Sequence, residues 1–172
     1  MEGILRTVAA AAVVAALLAV ATPAAAKTPK EYTIGLGVVL GEPTGLTAKH
    51  WFDDTHALDA HLSFDFTDEA FAVSSNYLFH FDVLQLRTDA VELPLYVGIG
   101  GKLLFDADDE QGNKRADKDD DFLSLGARVP FGADLLFTRI PLEVFIEVGI
   151  GVRLIPATRP DLDGGLGVRY YF

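Results

Sequence analysis

Apolar residues occupy every second position through most of this 172-residue chain, and this period of two restricts the fold more than any other feature. In ALDAHLSFDF, Leu58 and Leu62 fall on one face while Asp59 and His61 fall on the other. Eight segments show the pattern: EYTIGLGVVL, GLTAKHWFD, ALDAHLSFDF, FAVSSNYLFHF, VELPLYVGIGGKL, FLSLGARVPF, PLEVFIEVGIGVRL and GGLGVRYYF. Because no segment after residue 27 has a helical period, the sequence predicts an all-β fold of eight antiparallel strands.

The first 26 residues have the pattern of a cleaved signal peptide. Arg6 precedes an uncharged, alanine-rich run that ends in Ala24, Ala25 and Ala26, directly before Lys27. The run is short for a transmembrane anchor, which is the competing interpretation. We therefore expect residues 1–26 to be removed and residues 27–172 to form one domain beyond the inner membrane.

Alternation alone does not decide which face of a barrel points inward. A soluble lipocalin-like barrel encloses its apolar face, whereas a transmembrane barrel turns that face toward lipid. The predicted strands are long enough for a tilted membrane span, at roughly nine to thirteen residues each. Their other face combines charge with glycine, which leaves room for large side chains in a narrow lumen. Both features favour an eight-stranded antiparallel up-and-down transmembrane β-barrel over a soluble periplasmic lipocalin-like binder.

Ten charged residues share the face that such a barrel would enclose. An unpaired buried charge is costly, so we expect these residues to form acid–base pairs. Eight strands leave an interior that side chains nearly fill, which favours a plugged lumen over a narrow gated channel whose ion pairs exchange partners. The predicted network consists of Lys49, Asp59, Asp65, Glu92, Lys102, Arg128, Glu143, Glu147, Arg153 and Arg169.

The longest polar segment is DADDEQGNKRADKDDD, residues 106–121, with eight acidic and three basic side chains. If both termini face the periplasm, this fifth connection lies outside the cell, as the loop parity of such barrels requires. The order of its residues does not match a calcium-binding EF-hand loop. We expect a solvated extracellular loop whose partner the sequence does not identify.

Composition and spacing exclude several classes of function. The net charge is −11 and Lys and Arg are not clustered, which argues against nucleic-acid binding. There are no cysteines, so disulfides and thiolate chemistry are excluded. Asp59, His61 and Ser63 share a face, but residues two apart on a strand are about 7 Å apart, too far for a catalytic triad. We predict no catalytic residues, no metal site and no cofactor.

Aromatic residues near strand ends are typical of membrane interfaces. Trp51 and the Tyr and Phe residues at these positions are interpreted as girdles at the boundary between lipid and water.

The C-terminal residues resemble a known assembly signal. Leu166, Val168, Tyr170 and Phe172 occupy alternate positions up to the last residue, as in the C-terminal β-signal of bacterial outer-membrane proteins. The resemblance implies that the barrel-assembly machinery recognises this strand.

The mature chain as a whole is similar to small, largely uncharacterised bacterial outer-membrane β-barrel proteins of the OmpA and OmpX type. GLGVVLGEPTGLTAKHWF, NYLFHFD, LPLYVGIGGKL, GARVPFG and PLEVFIEV carry this likeness together with GGLGVRYYF. The family implies a fold and a location in the outer membrane, in contact with its lipid, and no shared catalytic motif.

Taken together, these patterns predict a monomeric outer-membrane barrel with a structural or surface-interaction role. A narrow gated channel is the alternative function, followed by a lipid-modifying outer-membrane enzyme.

Overall fold

The computed structural model describes residues 28–65, 70–106, 123–155 and 158–172, with the backbone alone at positions 65, 70 and 106. The predicted signal peptide, residues 1–26, lies outside the described residues. So does the acidic loop apart from the backbone of Asp106.

The described residues fold into long strands. These are β1 Gly35–Glu42, β2 Thr44–Trp51, β3 His56–Asp65, β4 Ala70–Phe81, the short β5 Val91–Glu92, β6 Leu95–Asp106, β7 Leu123–Phe137, β8 Leu142–Ile155 and β9 Arg159–Tyr171. A single 3-10 turn, Pro29–Glu31, precedes them. None of the helical segments among the described residues is long and apolar enough to cross a membrane.

Eight of these strands close into a barrel. Each long strand pairs antiparallel with the next, β4 pairs directly with β6, and β9 returns to pair with β1 from Gly35↔Tyr171 to Glu42↔Gly164. The short β5 lies outside this ring and pairs with the end of β7, Val91 opposite Phe137. Closure leaves no long strand edge unpaired. The predicted all-β fold of eight antiparallel up-and-down strands is confirmed.

The two ends of the barrel differ. Residues 28 and 172 lie at what we call the terminal end, together with the connections 52–55, 82–94 and 138–141. The tight turn at Pro43 lies at the opposite, loop end, where residues 66–69, 107–122 and 156–157 connect the remaining strands. β6 ends at Asp106 and β7 begins at Leu123 at this loop end, away from both termini.

The turn after β2 is held by the Asp53 carboxylate. It accepts hydrogen bonds from the Thr55 backbone N–H at 2.7 Å, the Thr55 hydroxyl at 2.8 Å and the His56 backbone N–H at 2.8 Å. These bonds, the Thr55 backbone first, lower the pKa of Asp53 well below its ordinary value. The carboxylate thus stays ionised and fixes the chain reversal between β2 and β3.

Burial is inverted relative to a soluble barrel. Along β3, Leu58 and Leu62 are 41% and 53% exposed while Asp59 between them is 1% exposed; along β8, Val148 is 48% exposed and Glu147 is 6% exposed. The outward face carries large apolar side chains on every barrel strand: Leu36, Leu40, Leu46, Leu58, Leu62, Phe71, Phe79, Ile99, Leu125, Phe131, Ile146, Ile150, Leu162 and Leu166 among them. The lumen holds most of the buried charge.

Glycine on the inner face makes room for the side chains that cross the lumen. A Cβ added to Gly132 would collide with the Tyr96 ring, and one added to Gly35 would lie 2.6 Å from Cζ of Tyr171. Because both tyrosines donate hydrogen bonds to carboxylates on β8, these glycines set the space available to the polar network.

The interpretation of Trp51 as part of a membrane-interface girdle is wrong. Its side chain is buried inside the barrel, where it packs with Ala57, Leu78, Leu136 and Tyr171 near the terminal end. The period of two on β2 turns the side chains of Thr47, Lys49 and Trp51 inward. The Trp51 ring packs against the His80 ring with 4.2 Å between their centroids, and this contact stabilises its buried position.

Exposed aromatic rings of the terminal end lie on the outer surface instead. Phe52, Tyr77 and Phe79 form one group, with centroid separations of 5.9 Å for the first pair and 5.1 Å for the second.

Candidate functional site in the barrel lumen

Seven of the ten charged residues predicted for the lumen lie buried in it, in two clusters stacked along the barrel axis. The cluster nearer the terminal end contains Lys49, Asp59, Glu143 and Arg169, and the cluster nearer the loop end contains Lys102, Arg128 and Glu147.

Glu143 on β8 is the centre of the first cluster. Its carboxylate accepts hydrogen bonds from the Arg169 guanidinium at 2.5 Å and from the Tyr171 hydroxyl at 2.5 Å, and Lys49 Nζ lies 3.4 Å away. Trp51 Nε1 donates in turn to the Tyr171 hydroxyl at 3.0 Å. These contacts join β2, β8 and β9 through one fully buried carboxylate.

Asp134 on β7 is a lumen residue that sequence analysis missed. It is fully buried, pairs with Lys49 and lies 3.0 Å from His80 Nε2. The predicted strand ended at Phe131, whereas β7 runs on to Phe137. Extending the period of two by three residues would have put Asp134 on the same face as Arg128.

Asp59 on β3 contacts three neighbours in the lumen. Its carboxylate accepts a hydrogen bond from Asn76 Nδ2 at 2.7 Å, and Arg169 Nη2 lies 3.5 Å away. His61 Nε2 lies 3.2 Å from Asp59 Oδ2, so the expectation that these two side chains are too far apart to hydrogen-bond is wrong. The side chains lean toward each other along the strand, which shortens the distance set by the backbone. Ser63 makes its described hydrogen bond to the Ala72 carbonyl, at 3.5 Å, and no triad geometry results.

Arg128 on β7 is the centre of the second cluster. Its Nη2 donates to Glu147 at 2.8 Å and to Asp163 at 2.6 Å, and the Tyr96 hydroxyl donates to Glu147 at 2.8 Å. Asp163 sits on the inner face of β9 and was not among the predicted network residues. It lies an even number of positions before Gly165, Gly167 and Arg169, which is the parity of the inner face.

Lys102 on β6 completes this cluster toward the loop end. Its ammonium lies 3.0 Å from Asp161 and 3.6 Å from Asp163. Asp161, like Asp163, was not predicted to take part.

Three predicted network residues do not belong to these clusters among the described contacts. Glu92 lies in β5 at the terminal end, where it pairs with Arg87 at 3.1 Å and Lys30 at 3.5 Å. Pro94 separates it from β6, and a proline cannot donate to the ladder of that strand. Arg153 is half-buried on β8 at the loop end, opposite Arg159. The side chain of Asp65 lies outside the described residues.

The N-terminal segment covers the terminal end of the lumen. Pro29 is fully buried, Lys30 Nζ lies 5.2 Å from the centre of the Trp51 ring, and Tyr32 packs against the buried aromatic cluster. Apolar and aromatic groups at this end therefore lie next to the polar residues of the lumen.

A small cavity lies among the described residues nearer the loop end. Its volume is about 30 Å³, and its lining includes His61, Lys102, Arg128, Glu147 and Asp163. A cavity of this size has room for about one water molecule or one ion.

The residues of the predicted assembly signal line the outer face of β9. Leu166 and Phe172 are 55% and 44% exposed, Val168 and Tyr170 are half-buried, and the Tyr170 and Phe172 rings lie 5.1 Å apart. The Phe172 backbone N–H donates to the Ile34 carbonyl at 3.0 Å, which extends the β1–β9 seam to the last residue.

Replacing Glu143 with alanine is expected to lower the free energy of unfolding by about 3–5 kcal/mol, because Arg169 and Lys49 would stay buried with one carboxylate fewer. Denaturant titration followed by tryptophan fluorescence measures this, since Trp51 is the single tryptophan. Asp54→Ala in the exposed turn is the control and should change stability by less than about 0.5 kcal/mol. Equal effects of the two substitutions would contradict a central role for Glu143.

No protein-family model matches the chain, and a search of curated proteins finds no match. Among solved structures, the chain is similar to the N-terminal β-barrel domain of Pseudomonas aeruginosa OprF, with a TM-score of 0.53 and 15% sequence identity. The match covers 81% of this chain and 96% of that chain. The chain therefore shares the β-barrel fold of that domain over nearly the whole length of the domain.

Proposed function

We propose that this protein is an outer-membrane β-barrel whose lumen is plugged by its own charged side chains, and that it serves a structural or surface-interaction role. The single observation that carries the proposal is the inverted burial, with apolar residues outward and ion pairs inward on the same strands. An apolar outer surface of this extent is unfavourable in water and favourable in lipid. The fold shared with the OprF barrel domain supports this location.

The strand lengths suit a membrane span. β3 has 10 residues, and β4 and β6 have 12 each. With a rise of about 3.3 Å per residue and a tilt of about 40°, such strands extend roughly 25–30 Å along the barrel axis. That height matches the apolar band of outer-membrane barrels, which is about 25 Å.

A plug fits the lumen better than a channel does. Lys49, Asp59, Asp134, Glu143 and Arg169 fill the cross-section near the terminal end, and all are at most 1% exposed. Moving any one of them would leave a buried charge without its partner. A continuous water path would require both this charged cluster and the buried aromatic cluster at the terminal end to open.

The orientation follows from the termini. With the terminal end in the periplasm, the acidic segment 106–121 extends from the cell surface and is the region available to external partners. The N-terminal signal peptide would direct secretion, the barrel-assembly machinery would recognise Phe172 and its alternating neighbours, and the barrel would insert as a monomer. A catalytic role has no support from Asp59, His61 and Ser63, whose hydrogen bonds do not form a relay.

Cell fractionation combined with heat-modifiable gel migration tests the proposed location. The protein should appear in the outer-membrane fraction and migrate differently in detergent gels with and without boiling, because an intact barrel resists unfolding by detergent. A soluble periplasmic protein should serve as the fractionation control. Recovery in the soluble periplasm without a mobility shift would contradict the membrane assignment.

Phe172→Ala tests the assembly signal. The substitution should reduce the folded protein in the outer membrane severalfold while leaving refolding of the purified protein in detergent unchanged, because alanine keeps the backbone hydrogen bond to Ile34. Phe52→Ala is a matched control, since Phe52 is a similarly exposed aromatic residue at the same end. Equal membrane levels of the two variants would argue against recognition of the terminal residue.

A further inference from the structure

Three metal-ligating side chains converge inside the barrel between its two charged clusters. Asp59 and His61 project from β3, and Glu147 projects from β8 across the lumen. One ligand atom from each lies within 4.8 Å of the others, and all three residues are buried. Neighbouring strand positions thus supply two ligands and the far wall supplies the third.

Surrounding hydrogen bonds already orient both carboxylates. Arg128 and the Tyr96 hydroxyl each contact one oxygen of Glu147 at 2.8 Å, and Asn76 Nδ2 donates to Asp59 Oδ1 at 2.7 Å. Carboxylate oxygens have lone pairs to spare beyond these bonds. Outer contacts of this kind fix ligand geometry in metal sites.

An orphaned acceptor lies beside the three ligands. Asn76 is 1% exposed, and its Oδ1 has no hydrogen-bond partner among the described residues. Rotation about the last side-chain bond would exchange the hydrogen bond from Nδ2 to Asp59 for this oxygen, which would then face the same carboxylate. Two oxygens can face each other at this distance only with a proton or a cation between them, which makes Asn76 a candidate fourth ligand.

The small cavity of the lumen adjoins the site. His61 and Glu147 both line it, and Glu42, Pro43 and Gly164 line it toward the loop end. Its volume of about 30 Å³ accommodates one ion or one water molecule. The cavity therefore supplies both space next to the ligands and a direction of entry.

The charge of the lumen also favours a cation. The fully buried ionisable residues comprise five carboxylates, Asp59, Asp134, Glu143, Glu147 and Asp163, and four cations, Lys49, Lys102, Arg128 and Arg169. With the histidines neutral, the charges of these nine described residues sum to −1. A bound cation is one way to neutralise this excess, and a proton on one of the buried groups is another.

We propose that Asp59, His61 and Glu147 form a binding site for one divalent transition-metal ion of the zinc class. An imidazole with two carboxylates suits Zn²⁺, whereas Ca²⁺ and Mg²⁺ take oxygen ligands alone. The ion would replace the hydrogen bond between His61 and Asp59, with the imidazole nitrogen binding the metal instead. Metal–ligand distances of about 2.0–2.2 Å require the ligand atoms to move together from their present spacing.

The neighbouring guanidinium groups limit the affinity. Arg169 lies 3.5 Å from Asp59 and Arg128 lies 2.8 Å from Glu147, and both repel a second cation. We therefore expect a dissociation constant on the order of 10 µM, weaker than that of a structural zinc site. The site lies in the lumen and does not depend on where the barrel resides.

Calorimetric titration of Zn²⁺ into the chelator-treated, metal-free protein tests the proposal, in buffer or in whichever mild detergent keeps the protein folded. One equivalent should bind to the wild type. His61→Gln should raise the dissociation constant by at least about 100-fold, since loss of a direct ligand costs more than loss of an outer contact. Glutamine keeps a hydrogen bond to Asp59, so this variant should stay folded, as its unboiled gel migration would show.

His56→Gln is the matched control. His56 is a surface histidine 2.8 Å from the Asp53 carboxylate. A zinc ion that bound at the surface instead of in the lumen would use this pair. This variant should bind zinc like the wild type. Absence of binding to the folded wild type would overturn the proposal, as would binding that His56→Gln abolishes and His61→Gln leaves intact.

Co²⁺ substitution gives an independent readout. Visible absorption bands of cobalt with a nitrogen and oxygen ligand set should appear in the wild type and in His56→Gln and be lost in His61→Gln. Bands that persist in folded His61→Gln would place the metal elsewhere and contradict the assignment. Neither outcome bears on membrane location, which fractionation tests separately.

Discussion

Glu143 and Arg169 stand directly opposite each other on β8 and β9, and their ion pair inside the barrel is the contact on which the rest of the lumen depends. Arg169 also donates to Thr47 on β2, and Glu143 also meets Lys49 on β2 and Tyr171 on β9. The pair thus joins the last strands to the first ones through the interior, in parallel with the backbone seam between β9 and β1. Removing one member would leave the other charge buried, so the network stabilises a single closed arrangement.

The period of two in the sequence predicts most of the fold. It gave the eight strands, their antiparallel order and the two faces, because an alternating strand must separate its side chains between two environments. It did not give strand ends. β7 continues past Phe131 because Gly132 and Asp134 still pair with β8 at inward positions. β6 begins only after Pro94, and Glu92 therefore lies in a separate short strand.

Contacts across the lumen were less accessible to sequence reasoning than the faces themselves. Period two placed Trp51 on the same face as Lys49, but the preference of tryptophan for membrane interfaces suggested the outer surface, and packing against His80 and Tyr171 decided otherwise. Phe145 and Leu136 also point inward, because a narrow barrel needs apolar groups to fill the spaces between its ion pairs. Which acid pairs with which base depends on the register between strands, and the sequence of a single strand does not determine that register.

A transmembrane location requires that the apolar face of each strand meets lipid and that the charged face is enclosed. The protein has no native cysteine, so single nitroxide labels can be placed without background. In bilayers, labels at Val144, Ile146, Val148 and Ile150 should be accessible to oxygen dissolved in lipid, and a label at Phe145 should be shielded. A scan along β8 that shows this period of two supports the account, and outer-face labels that react instead with a water-soluble nickel reagent would contradict it.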